Sequence, residues 1–276
     1  MTVSVLIPAH NEALWLPSCL TALLASDPVP EGAEVIIVAN GCSDDTAGIA
    51  RGFIGDAKAR DWSLSVIELA EGGKLGAWNA GEAAAAGEVL IYLDADVTVS
   101  PPLIGQLAET LDGSAPRYAS GTPDVTVGED ALTRAYTRFW CTTPFMTQGV
   151  PGFGVFAMNR AGRARWGAWP DIISDDTFAR LNFRPEERAR VPARYAWPMI
   201  EGFRQLVRVR RRQDIGVAEV ATHFPHLIAN DDDPSGSVPL WRRALKQPID
   251  FLAYSAVRLA IKLPLYRSTN RWVRGR

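Results

Sequence analysis

The chain has 276 residues, of which 47% are hydrophobic and 22% charged, with a formal net charge of −2. That composition can bury a full core of the size usual for a single α/β catalytic unit, and the sequence contains no internal repeat, no low-complexity tract and no apolar stretch long enough to span a membrane. The small net charge hides a split: residues 1–180 hold 11 Lys and Arg against 22 Asp and Glu, a balance of −11, and residues 181–276 hold 18 against 9, a balance of +9.

Thr2 to Pro8 reads as a β-branched strand apolar enough to be buried on both faces. A helix follows, opened by Asn11 and Glu12, with Leu14, Leu16, Leu20, Leu23 and Leu24 on one side. Val35 to Val38 is a second buried strand, and Gly41-Cys42-Ser43-Asp44-Asp45-Thr46 is a turn into a helix capped by Ser and Asp. Ser65 to Leu69 supplies a third strand. Glu71 to Gly76 then reads as a flexible loop carrying the cation Lys74, and an Ala-rich helix over 77–86 returns the chain to a fourth strand. Four alternations of strand and helix argue for a parallel, doubly wound sheet.

The fourth strand, Glu88-Val-Leu-Ile-Tyr-Leu-Asp-Ala-Asp96, ends in two carboxylates. Alternate side chains of a strand share a face, so Asp94 and Asp96 are expected to project together into the crevice at the carboxyl edge of the sheet, where α/β folds bind ligands. Paired carboxylates with few other ligands suit Mg²⁺ or Mn²⁺ bridging a phosphate. The competing reading is an acidic strand end that only caps the next helix.

These segments together resemble the inverting glycosyltransferases of family 2, which have the GT-A fold. The likeness rests on Ile7-Pro8-Ala9-His10-Asn11-Glu12, on Val38-Ala39-Asn40-Gly41-Cys42-Ser43-Asp44-Asp45-Thr46, on Gly73-Lys74 with Asn79-Ala80-Gly81, and on Leu93-Asp94-Ala95-Asp96, in family order and at family spacing. The resemblance implies a nucleoside-diphosphate sugar donor held by Pro8, Ala9, His10, Glu12, Asn40, Lys74, Asp94 and Ala95, with Pro8, His10, Glu12 and Asn40 around base and ribose, and with the metal on Asp96 beside Asp94. Many members carry two acids where this chain has Ala39-Asn40, and an amide both accepts and donates, which leaves the base open.

Farther along, Gly152 to Ala157 matches a dinucleotide glycine fingerprint only superficially, since it does not open the first helix after an N-terminal strand. It reads instead as a strand. In Trp169-Pro170-Asp171-Ile172-Ile173-Ser174-Asp175-Asp176 the resemblance makes Asp176 the general base and Asp175 its neighbour, while Asp171 and Asp175 stay as competing candidates and a helix-dipole role stays as the alternative for Asp176. In the arginine run from Arg204 to Arg212, Gln205 and Arg208 keep part of a Gln-x-x-Arg-Trp motif of processive relatives, without the Trp. Arg208 is a candidate for a diphosphate or acceptor phosphate, against a solvated helix face. Nucleic acid is not an expected partner, because no aromatic-interleaved basic platform accompanies the run.

The expected organisation is a GT-A glycosyltransferase domain over 1–222, with a nucleotide-sugar-binding half (1–100) and an acceptor and base half (101–222), followed by a C-terminal linker and amphipathic helical extension (223–276). Within the extension, the acidic run from Asn230 to Ser237 reads as a solvated loop. Phe251 to Leu265 reads as an amphipathic helix that either docks on the core or lies in a bilayer interface, where the basic C-terminal part would meet an anionic membrane surface. Cys19, Cys42 and Cys141 show neither metal spacing nor a disulfide framework, and a strand starting at residue 2 leaves no place for a signal peptide. The expected location is cytoplasmic, peripheral at the inner face of the membrane. The expected function is metal-dependent, inverting sugar transfer to a hydroxyl acceptor, glycan or lipid-linked, in cell-surface polysaccharide or glycolipid synthesis. A non-catalytic sugar-nucleotide binder and a nucleotidyltransferase on a similar sheet are the alternatives; the second lacks its phosphate loop after the first strand.

Overall fold

A computed structural model describes residues 2–233 and 237–264. The elements in chain order are β1 (Val3–Ala9), α1 (Leu16–Leu24), β2 (Ala33–Asn40), α2 (Thr46–Gly52), α3 (Ile54–Lys58), β3 (Ser63–Leu69), α4 (Lys74–Ala84), β4 (Val89–Leu93), β5 (Thr98–Val99) and α5 (Leu103–Leu111). They continue with β6 (Tyr118–Thr126), α6 (Ala131–Trp140), α7 (Pro144–Thr147), β7 (Val155–Asn159), α8 (Arg160–Arg163), α9 (Asp175–Leu181), β8 (Arg188–Pro198), α10 (Phe203–His223), α11 (Leu240–Lys246) and α12 (Pro248–Lys262). Contacts group the chain into two compact units, one of residues 1–124, 152–171 and 182–197, the other of 125–151, 172–181 and 198 onward.

One sheet runs β3-β2-β1-β4-β7-β6-β8-β5. Its first four strands are parallel, with Val5 opposite both Val35 and Ile91, and every residue of β4 is buried, as a strand covered on both faces requires. β7 pairs antiparallel with β4 and β6, and β5 with β8, so the sheet is mixed. The chain steps outward from β1 to β2 and β3, then returns to the other side of β1 as β4. This reversal is the switch point at which doubly wound sheets open a crevice beyond their carboxyl ends, and it places the ends of β1 and β4 side by side.

Three local expectations change. The first helix starts at Leu16, so Leu14 is 76% exposed and Leu24 half-buried, while Leu16, Leu20 and Leu23 are buried. Asn11 sits at φ 54°, turning the chain before the helix can begin. Lys74 is the first residue of α4 rather than part of a loose loop, because the Gly73 carbonyl already accepts from Ala77 N at 3.0 Å. The strand after Gly152 begins only at Val155. Gly152 and Gly154 have φ of 71° and 76°, and Cβ atoms there would stand 1.9 Å from the Tyr118 hydroxyl and 2.6 Å from the Trp197 ring.

Leu20 is fully buried, so Leu20→Ala is expected to lower unfolding free energy by about 2–5 kcal/mol, with Leu14→Ala within about 0.5 kcal/mol of wild type. Urea denaturation of both variants checks this, and equal costs would place Leu14 in the core.

Candidate active site

At the switch point, two loops hold each other. The Asn11 side chain accepts from the backbone N–H of Ser43 and, at 3.2 Å, of Asp44. In return, Asp44 Oδ2 accepts from Ala13 N at 3.2 Å and Thr46 Oγ1 accepts from Glu12 N at 2.8 Å. Asp44, rather than Asp45, therefore satisfies the exposed amides around the start of α2: Asp45 makes no side-chain cap, whereas Asp44 Oδ1 accepts from Thr46 N. The polar residues shared by the two motifs shape the loops.

Beneath them, Asn40 is 2% exposed. Its amide nitrogen donates to Ala9 O at 3.0 Å and Val38 O at 3.1 Å, and Oδ1 accepts from Gly73 N at 2.9 Å. The side chain expected near the base thus ties the ends of β1 and β2 to the start of α4. His10 Nδ1 lies 2.6 Å from Asn40 O; a carbonyl only accepts, so Nδ1 carries the proton and Nε2 is the other ring position. His10 itself is exposed, while Pro8 and Glu12 are partly so and Ala9 is buried.

The carboxylates follow β4. The strand ends at Leu93, and Val97 N donates to Asp94 O at 3.1 Å, so a turn rather than strand alternation sets the directions of Asp94 and Asp96. Gly154 O accepts from Asp94 N at 2.8 Å and fixes where that turn starts. Ala95 is buried within it. Lys74 Nζ reaches Asp94 Oδ1 at 2.8 Å, with both side chains partly exposed. The thiol of Cys19 lies under this group, its Sγ 3.8 Å from Asp94 O. Burial first, and then the charges of Asp96, Asp94 and Glu12, push that thiol far above its ordinary range. Lys74 is the cation paired with Asp94 there. Among the described residues no group of three or more His, Cys, Asp or Glu forms a metal cage.

Asn79 and Glu82, on the same helix as Lys74, anchor the segment that leads toward the acidic pair. Asn79 Oδ1 accepts from Trp169 N at 2.9 Å, and Glu82 accepts from the Trp169 indole, from the Tyr92 hydroxyl and from Arg163. Asp171, two residues on, is exposed.

In the second unit, Asp175 and Asp176 open α9, with Asp175 buried and Asp176 partly exposed; Asp176 Oδ1 accepts from Thr177 N at 2.7 Å. The stretch before them is pressed against α10. Glu219 accepts from Ile173 N at 2.8 Å, and a Cβ on Gly216 would stand 2.6 Å from Ser174 Oγ. Sequence reading missed this glycine, whose only sign was a lone Gly within a helical stretch. At the other end of α9, buried Arg180 pairs with Asp231 at 2.8 Å and Asp232 at 2.7 Å. The acidic run expected to be solvated keeps its carboxylates partly exposed but pairs two of them with a buried arginine; its residues 234–236 lie outside the described residues. The arginine run also divides. Arg210 stacks 3.9 Å over Trp140, and Arg211 donates to the carbonyls of Ala260, Ile261 and Leu263, closing the end of α12. Arg208 has its Nε buried without a hydrogen-bond partner.

Residues 4–180 match the family model described as Glycosyl transferase family 2. The glycosyltransferase AglE of Haloferax volcanii is 32% identical over 124 residues, which are 45% of this chain and 40% of that protein. The chain thus spans about two fifths of the length of this relative. Among solved structures, the mannosyltransferase PcManGT from Pyrobaculum calidifontis in complex with GDP-Man and Mn²⁺ superposes with a TM-score of 0.59 at 20% identity, over 94% of this chain and 73% of that one. TarS 1–349 of S. aureus in complex with UDP-GlcNAc gives 0.53 at 16% identity, over 95% and 82%. These likenesses show a GT-A-type fold.

An acid in place of Asn40 would lose the two donated hydrogen bonds and face the carbonyls of Ala9 and Val38. Asn40→Asp is expected to destabilise the protein by about 1–3 kcal/mol. Thermal denaturation reads this directly; an unchanged or raised Tm would show that the amide does not hold the strand ends.

Proposed function

Because the chain belongs to glycosyl transferase family 2, we propose that it moves a sugar from a nucleoside-diphosphate donor to a hydroxyl acceptor, glycan or lipid-linked, with inversion at the anomeric carbon, and that it does so in the cytoplasm in cell-surface polysaccharide or glycolipid synthesis. The observation that carries this reading is the acidic turn of Asp94 and Asp96, set at the switch point of the sheet and faced by Lys74. Residues 1–100 would serve the donor and 101–222 the acceptor.

The donor lies over the ends of β1 and β2 in this reading, with Pro8, Ala9, His10 and Glu12 around base and ribose. Asn40 acts by holding those ends in place, and its backbone oxygen orients the His10 ring. The chemistry of the carboxylates fits Mg²⁺ or Mn²⁺: such an ion completes an oxygen shell from one or two carboxylates, water and substrate phosphates, and needs no protein cage. Asp96 would hold it, with Asp94 beside it and partly neutralised by Lys74; when bound, the ion supplies charge stabilisation to the departing diphosphate. The complex of the Pyrobaculum protein with GDP-Man and Mn²⁺ supports that choice. The donor base stays open between uracil and guanine, since the two structural neighbours carry one each.

On the acceptor side, Asp176 takes the proton from the attacking hydroxyl. Attack opposite the leaving diphosphate then inverts the centre. Asp176 is the better placed of the acidic pair for this, being partly exposed where Asp175 is buried, and a base must reach its substrate. Arg208, whose Nε lacks a partner in the fold, is suited to phosphate oxygens.

A thermal-shift screen of nucleotide sugars with and without Mn²⁺ identifies the donor through the stabilisation that binding gives. With that donor, Asp96→Ala is expected to lower turnover by at least about a thousandfold and to remove the Mn²⁺-dependent part of the shift. Transfer that persists in the variant and in chelator would rule out the metal role; donor binding by wild type with no transfer to any acceptor would favour a binding protein.

Asp176→Asn should lower kcat by about 100- to 10,000-fold while donor affinity stays near wild type. Single-turnover assays beside Asp175→Asn decide between the two, because loss confined to Asp175→Asn would move the base by one residue.

A further inference from the structure

Helix α12 has two apolar faces. One docks on α6: Phe251 and Tyr254 pack on Phe139, Tyr254 stacks with Tyr136 at 5.5 Å, Val257 and Ala260 are buried, and Arg138 forks onto Asp250 at 2.9 and 2.6 Å. The other face carries Ile249, Leu252, Ala256, Leu259 and Leu263, alternating three and four residues apart, which is the spacing of a continuous helical stripe. This stripe is uncovered: Ile249 is 75% exposed, Leu252 67% and Leu259 64%. The short helix before it adds Leu240, Leu245 and Trp241, the last 60% exposed with Arg242 at 5.1 Å from its ring.

The charge around the stripe is mainly basic. Residues 240–264 hold five Lys and Arg against the single Asp250, which is buried in its pair with Arg138, while Arg258 pairs with Asp214 of α10 at 2.9 Å. A second copy docking on this face would bring two sets of Arg242, Lys246 and Lys262 together, while Asp214, the acid beside α12, is already paired with Arg258. An anionic surface answers them directly. At 15 residues α12 is about 22 Å long, and no described helix is long and apolar enough to cross a membrane. A helix of this length with an apolar stripe, flanking cations and a neighbouring tryptophan is built to lie in the plane of an interface.

We propose that the outer face of α11 and α12 is a docking surface for an anionic bilayer, in which Trp241, Leu245, Ile249, Leu252 and Leu259 enter the headgroup boundary while Arg242, Lys246 and Lys262 meet lipid phosphates. The proposal does not depend on the sugar-transfer reading, and its test uses no activity.

Full-length protein is sedimented with phosphatidylcholine vesicles, with and without phosphatidylglycerol, at low and high salt. The expected result is binding that needs phosphatidylglycerol and weakens with salt. The pair Leu252→Glu and Leu259→Glu should reduce partitioning by at least about tenfold, and Arg242→Gln and Lys246→Gln by roughly fivefold each; circular dichroism and Tm should be unchanged, because all four side chains are outside the core. Brominated lipid should quench part of the tryptophan emission in wild type, and that part should vanish in Trp241→Phe. Absence of binding at low salt overturns the proposal, as does binding that survives the Leu→Glu pair. A wild-type dimer that the same pair dissociates, with no affinity for vesicles, would assign the stripe to self-association instead.

Discussion

A single buried carboxamide sets the geometry on which the candidate site rests. Asn40 joins the last carbonyl of β1, a carbonyl within β2 and the amide that precedes α4, so three separately folded segments cannot drift apart without breaking a buried hydrogen bond. Its own backbone oxygen then accepts from His10. Leaving any of these groups unpaired inside the protein would cost more than a hydrogen bond normally contributes, which is why such a node is rigid. Above it, the exchange of side-chain and backbone bonds between Asn11 to Ala13 and Ser43 to Thr46 extends the same restraint to the surface.

That rigidity matters because Gly73, held by Asn40, immediately precedes Lys74, the cation that meets Asp94. Glu12, Asp94 and Asp96 all raise the Cys19 thiol, and Lys74 is the cation that pairs with one of them. Helix α4 links this place to its surroundings. Its first residue faces Asp94, and one to two turns later Asn79 and Glu82 hold Trp169, Tyr92 and Arg163.

The second unit keeps its acidic pair in place by other means. Gly216 lets α10 come close to Ile173 and Ser174, and Arg180 fastens the far end of α9 to Asp231 and Asp232. The basic balance of the C-terminal part is divided: Arg210 and Arg211 are consumed in packing and capping, whereas Arg242, Lys246 and Lys262 remain at the surface beside the uncovered stripe of α12.

The parallel strands of the first half were legible in the sequence, because short β-branched, apolar runs such as Val35 to Val38 and Val89 to Leu93, alternating with helical stretches, fit strands buried on both faces. The carboxylates of Asp94 and Asp96 were expected to leave the end of a strand, but the backbone that aims them is a turn. Other matters were decided only by tertiary structure. Asn40 looks identical in sequence whether it contacts a base or three backbone groups, and Asp231 whether it meets water or Arg180; a side chain's partner depends on what the chain brings near it across tens of residues. Exposure of one apolar stripe of α12 is likewise invisible to periodicity, since both faces carry the same pattern and only the packing of α6 distinguishes them.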